Sequence, residues 1–101
     1  MHDLTGFQRD LLFVTGGLDE PSGLEVKEEL ERYYGTSINH GRLYPNLDTL
    51  CEKGLVEKRK HDERTNAYSL TGRGHRELHD RKEWERIYAT DPDVEERESP
   101  R

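Results

Sequence analysis

The side chains best suited to chemistry are gathered between residues 39 and 66. Asn39, His40, Gly41, Arg42, Tyr44 and Asn46 form one group, and Lys58, Arg59, Lys60, His61, Arg64, Thr65 and Asn66 form a second. Their chemistry is recognition rather than bond making. Arg presents a fork of donors that fits phosphate or guanine, and Asn presents a donor and an acceptor that fit adenine. Bond-making chemistry finds no comparable set. There is no nucleophile elbow, no phosphate loop and no acid–base pair, so no enzyme is expected. His75 and His79 stand four residues apart, a spacing that can seat a metal, but no third ligand accompanies them and no metal is expected. Cys51, the single cysteine, permits no internal disulfide and reads as a small core residue; a redox role would require exposure and a lowered pKa. No cofactor is expected.

The overall charge balance runs against this reading. The chain of 101 residues has 16 Lys plus Arg against 22 Asp plus Glu, a net charge of -6 that argues against nucleic acid as a partner. Dividing the charge by segment reverses that argument. Residues 1–35 carry 3 basic and 8 acidic side chains, and residues 77–101 carry 5 and 9. Residues 36–76 carry 8 basic and 5 acidic side chains, net +3, and they hold both groups named above. Phosphate neutralisation needs a positive face, not a positive whole. Arg outnumbers Lys by 11 to 5 and Glu outnumbers Asp by 14 to 8. Acidic, Lys-poor surfaces of this kind belong to proteins adapted to high salt, and that adaptation is expected here.

The elements that must position these residues follow from periodicity and caps. Length allows one domain. Leu4, Phe7, Leu11, Val14 and Leu18 step by three and four and predict a helix starting near Thr5, where Thr5 and Gln8 have capping-box spacing. Ser22 and Glu25 repeat that spacing before a second helix, with Val26, Leu30, Tyr33 and Tyr34 as its stripe and Gly35 as its stop. A third helix spans about 39–53, with Leu43, Leu47, Leu50 and Cys51 on one side, Pro45 in its early turns, where a slight irregularity is expected, and Gly54 at its end. Residues 55–61 and 67–70 read as strands around a polar turn, a hairpin with a charged tip. Thr71 caps a fourth helix containing Leu78, Trp84, Ile87 and Tyr88. Residues 91–101 read as an acidic, disordered tail. No apolar run approaches a membrane span and the start is no signal peptide, so a cytoplasmic protein without membrane contact is expected.

Three helices, a hairpin and a fourth helix follow the order of a winged helix-turn-helix, a mainly α fold with a small β-hairpin. The third helix makes the comparison specific. Residues 43–55 read Leu-Tyr-Pro-x-Leu-x-x-Leu-x-x-x-Gly-Leu, and residues 68–74 read Tyr-x-Leu-Thr-x-x-Gly. This pair of motifs resembles the PadR family of transcriptional regulators, over about residues 4–85. The resemblance implies a homodimeric DNA-binding regulator. Its recognition helix (about 39–53) would enter the major groove, and its wing (about 56–70) would lie at the minor groove or backbone. A C-terminal helix (about 71–90) would serve dimerisation within a domain spanning 1–90. A single C-terminal helix is similar to the short branch of the family, so neither a spacious ligand pocket nor a sensor domain is expected, and no small-molecule effector is read. The runner-up is a winged-helix protein-interaction module without DNA binding.

Within that frame each residue has two readings. Asn39 is a helix cap or a base contact, and Gly41 permits a turn or a close approach of DNA. Arg42 contacts base or phosphate, and Asn46 faces DNA one turn on, with Thr49 a weaker candidate. His40 sits at the helix start with them. By resemblance the Tyr44 hydroxyl bonds a phosphate; the plainer reading is burial against the wing. Lys58 and Lys60 share one face of the wing, Arg64 is the candidate for the minor groove, and Thr65 and Asn66 complete the tip; the plainer reading is a solvated hairpin. Arg73 and Arg76 reach phosphates from the start of the fourth helix. Leu78, Trp84, Ile87 and Tyr88 form the dimer interface, joined by Leu12 and Phe13; the plainer reading is packing within one chain. Two-fold symmetry implies double-stranded DNA with a pseudo-palindromic operator, half-sites about one helical turn apart.

Overall fold

A computed structural model describes residues 1–89; the tail expected at 91–101 lies outside the described residues. Three helices, α1 (Gly6–Gly17), α2 (Gly23–Tyr34) and α3 (His40–Glu52), precede a hairpin of β1 (Val56–Lys60) and β2 (Asn66–Leu70), and α4 (Gly72–Tyr88) follows. This is the expected order. Each helix begins at a side-chain cap: Thr5, Ser22, Asn39 and Thr71. Thr5 with Gln8 and Ser22 with Glu25 close full capping boxes, each satisfying backbone donors that a helix start leaves free.

The second motif half of α3 has a backbone explanation. Gly54 turns left-handed at φ 76°, its N–H donates to Cys51 O at 3.0 Å, and the Leu55 N–H donates to Leu50 O at 3.0 Å. This pair of bonds is a Schellman stop, and the apolar contact it calls for is supplied by buried Leu50 and Leu55. The Leu-x-x-x-Gly-Leu spacing is therefore a helix terminator. At the other end the Asn39 carbonyl accepts from both Arg42 and Leu43 N–H, at 3.0 and 3.1 Å, which tightens the first turn. The helix then runs unbroken through Pro45.

The chain returns to this point at the start of α4. The Thr71 hydroxyl donates to Gly54 O at 2.7 Å and the Thr71 N–H donates to Leu55 O at 3.0 Å. A Cβ on Gly74 would lie 2.1 Å from the Leu55 carbonyl oxygen, so only glycine fits there. The Leu-Thr-x-x-Gly element thus locks the first turn of α4 against the end of α3.

The hairpin pairs Val56 with Leu70 through Lys60 with Asn66, antiparallel. On its other edge β2 meets the turn before α2: the Tyr68 N–H donates to Pro21 O at 2.8 Å, and Ser22 bridges Ala67. Ala67 and Tyr68 are consequently both buried, whereas Glu57, Lys58, Arg59 and Lys60 are all exposed. Beyond Val56, β1 extends past the core, so the wing cations on both of its faces are exposed.

The core centres on Leu11, Leu12, Leu30, Leu43, Leu47 and Leu50, all at 1% exposure or less. Cutting any of these to Ala would cost about 2–5 kcal/mol. Two expectations are corrected here. Leu12 belongs to this core and not to a dimer surface, because α1 is packed by α2, α3, β2 and α4 and buries more than one stripe. Phe13 is half-buried. Tyr33, assigned to the α2 stripe, is 81% exposed; only Tyr34 of that pair turns toward the core. Among the described residues no helix is long and apolar enough to cross a membrane.

Candidate nucleic-acid interface

With Leu43, Leu47 and Leu50 turned inward, α3 shows solvent a row of Gly41, Pro45, Asp48 and Glu52. Arg42 and Asn46 flank that row on the side of α1, and His40 and Tyr44 flank it on the other. The His40 ring meets Tyr44 edge-on at 5.6 Å. Asn39 is the cap: its Oδ1 accepts from the Arg42 N–H at 3.2 Å. The cap reading therefore holds in the free protein.

Tyr44 lies across the start of α2. A Cβ on Gly23 would sit 2.6 Å from the Tyr44 ring and 2.8 Å from its hydroxyl, so this glycine makes room for the tyrosine. Beside them opens a groove of about 400 Å³, lined by Ser22, Gly23, Tyr44, Arg64, Asn66 and Tyr68 among others. It joins the amino end of a helix, a phenol and the wing-tip arginine, groups that all favour an anion. Burial pushes the Tyr68 hydroxyl up to about 12, so it stays a proton donor. Gly23 escaped the sequence reading. Its signal was a poor helix former at the first position of a well-capped helix, which implies a close neighbour.

Arg42 and Asn46 are held by the first turn of α1. The Arg42 guanidinium stacks on the Phe7 ring, 3.9 Å from its centroid. The Asn46 amide donates to the Arg42 carbonyl at 2.7 Å, and its oxygen accepts from Gln8 Nε2 at 2.9 Å. Behind Phe7, the Tyr34 ring packs at 6.3 Å and its hydroxyl donates to Asp10. Burial and that carboxylate push the Tyr34 hydroxyl up to about 12. The Thr49 hydroxyl donates to Pro45 O at 3.0 Å, one turn back in its own helix.

The wing tip is built by Asp62. Its Oδ1 accepts from the Arg64 and Thr65 N–H groups, both at 2.9 Å, and these bonds hold its carboxyl below the usual range. Although its charge opposes phosphate, Asp62 is the turn former that presents Arg64. Lys60, Arg64 and Asn66 are exposed and Thr65 is half-buried. Lys58 is not free: its Nζ lies 3.5 Å from Asp48 of α3. Arg59 lies 3.8 Å from Glu20. Asp48, in the outward row of α3, was missed because its partner lies on another element. Cys51 is half-buried and burial raises its thiol pKa, the opposite of what a redox switch needs. Arg73 and Arg76 are exposed at the start of α4. Among the described residues no three His, Cys, Asp or Glu side chains gather to hold a metal.

The four interface candidates on α4 divide. Leu78 packs against its own chain's core. Trp84, Ile87 and Tyr88 are 50%, 68% and 69% exposed, with the Trp84 and Tyr88 rings tilted against each other at 5.2 Å and the Arg81 guanidinium 4.4 Å over the Trp84 ring.

A three-helix core, a hairpin on its edge and an outward third helix define a winged helix-turn-helix protein. The family model described as the transcriptional regulator PadR-like family matches residues 13–80, and the chain belongs to that family. It is accordingly a transcriptional regulator and not an enzyme. Among solved structures, RosR of H. salinarum, a halophile, is 51% identical with a TM-score of 0.83, covering 94% of this chain and 86% of its own. Bacillus subtilis PadR in complex with operator DNA is 24% identical with a TM-score of 0.66, covering 87% and 50%. Streptococcus pneumoniae FabT in complex with DNA is 20% identical with a TM-score of 0.74, covering 96% and 64%. The last two share the fold. Among curated proteins no match was found.

Proposed function

We propose that the chain is a homodimeric, sequence-specific DNA-binding regulator that works in the cytoplasm. In this reading α3 enters the major groove, the wing lies at the minor groove or backbone, and two copies joined through α4 read a pseudo-palindromic operator. The observation that carries it is the groove between the start of α2, Tyr44 and the wing tip. It gathers anion-seeking groups along one side of α3, where a duplex backbone would run. The net positive charge of residues 36–76 supports the same reading, as do the DNA complexes of the two fold relatives. Dimerisation is supported by the uncovered Trp84, Ile87 and Tyr88.

The test is enrichment of a randomised duplex pool by the purified protein in molar potassium chloride. A defined site should emerge, and Arg42→Ala should weaken binding to it by about 1–3 kcal/mol. A protein that enriches no site would instead be a winged-helix interaction module.

A further inference from the structure

The first turn of α1 touches the two base-reading candidates of α3 at once. Phe7 provides the ring under the Arg42 guanidinium, and the next residue, Gln8, donates to Asn46 Oδ1. Asn46 in turn donates to the carbonyl of Arg42, so the two contacts meet in one closed arrangement. Gln8 is itself fixed: its Oε1 accepts from the Thr5 N–H and its own N–H donates to the Thr5 hydroxyl, both at 3.1 Å. The capping box leaves Gln8 Nε2 as the free end of the side chain, and that end is spent on Asn46. The amide of Asn46 therefore has one orientation, with its oxygen toward α1 and its nitrogen toward Arg42.

We infer that Phe7 and Gln8 are positioning residues for sequence recognition: they set which base edges Arg42 and Asn46 present themselves to, without touching DNA. The inference rests on the DNA-binding reading above. Phe7 is buried and Gln8 is half-buried, so a direct contact does not explain their placement. In α1 alone, Glu would serve the capping box as well as Gln does. The donor that Glu lacks is the one that reaches Asn46.

That difference provides the test. Gln8→Glu keeps the acceptor for Thr5 and adds a negative charge at a helix amino end, where it is stabilising. It replaces the donor to Asn46 by a second acceptor facing Asn46 Oδ1, so the amide loses the bond that fixes its orientation. Phe7→Leu keeps an apolar side chain in the core and removes the ring under Arg42. Each full-length variant is run beside the wild type in the randomised-duplex enrichment, and the ratio of affinity for the enriched site to affinity for bulk duplex is read. The added charge of Gln8→Glu acts on both affinities and cancels in the ratio. That ratio should fall about fivefold for Gln8→Glu, the order expected from losing one hydrogen bond. The preferred base should change at the positions facing Asn46 in Gln8→Glu and at those facing Arg42 in Phe7→Leu. Unchanged base preferences overturn the inference, and so does a uniform loss across all sequences, which is what a purely structural role gives. A wild type that enriches a site while Gln8→Glu enriches the same one leaves the DNA-binding reading standing and sinks only this inference. A wild type that enriches nothing sinks both.

Discussion

The α3–wing surface and the distal half of α4 treat their side chains in opposite ways. On the first, four of the polar side chains already have partners within the chain: Arg42 on Phe7, Asn46 between Gln8 and Arg42, Lys58 beside Asp48, Arg59 beside Glu20. On the second, Trp84, Ile87 and Tyr88 stand in solvent. A reading surface gains from being ordered before it meets its target, since side chains fixed in advance lose less entropy on binding. An apolar surface has the reverse need, because its stabilisation arrives only when another surface covers it. One half of the molecule has its side chains ordered within the chain, and the other leaves apolar side chains uncovered.

The strongest way to break this contrast is Trp84→Ala. If α4 is covered by a second copy, the dimer should weaken by about 2–4 kcal/mol, on the order of a hundredfold, as for an aromatic hot spot. Sedimentation velocity across a dilution series checks this, and an unchanged dimer would place the interface elsewhere. Next in size is Gly23→Ala. The new Cβ must displace the Tyr44 ring. Overpacking of about 1–3 kcal/mol would be partly offset by about 1 kcal/mol of helix propensity. Thermal stability should thus fall by at most about 2 kcal/mol, while affinity falls evenly across DNA sequences.

A finer test compares two lysines one repeat apart on β1. Lys60→Ala should lower the slope of log affinity against log salt by about one, the effect of a lost phosphate contact. Lys58→Ala should lower it less, because its charge is already engaged by Asp48. Equal slopes would show that the Asp48 pair does not survive binding. The smallest effect is in acid. Glu31 accepts from the Ile38 N–H at 2.8 Å and pairs with Lys27, and these hold its carboxyl below the usual range. A carboxyl depressed in the folded state gives stability that is present above its ordinary pKa and lost as pH falls through the lower folded value. Denaturation midpoints should therefore drop modestly below about pH 4, the ordinary carboxylate range, and Glu31→Gln should flatten that drop.

Much of the fold was legible because its signals are local. Thr5, Ser22, Asn39 and Thr71 sit where short polar side chains cap helices, and Gly35 and Gly54 adopt the left-handed turns that end them. Periodicity failed where packing is not one-sided. A single stripe placed Leu12 outside the core, yet α1 is enclosed by four neighbouring elements. The same logic brought Tyr33 inward, although among the described residues nothing packs on that side of α2 to bury it. The site was legible as a roster of residues and not as a set of pairs. The Gln8–Asn46 bond spans 38 positions and the Lys58–Asp48 bond spans 10. No spacing rule announces such contacts, because they exist only once helices are docked.

The joint between α3 and α4 has a geometric consequence. Thr71 and Gly74 clamp the root of α4 onto Gly54 and Leu55, leaving no room for a side chain between them. The angle between α3 and α4 is then a built-in dimension, like the fixed arms of a calliper. In the proposed dimer, two such callipers share one pivot, and the distance between their tips is the distance between half-sites. A lineage seeking a different operator spacing would find little give at this elbow. It would have to re-register the far end of α4, one helical turn at a time.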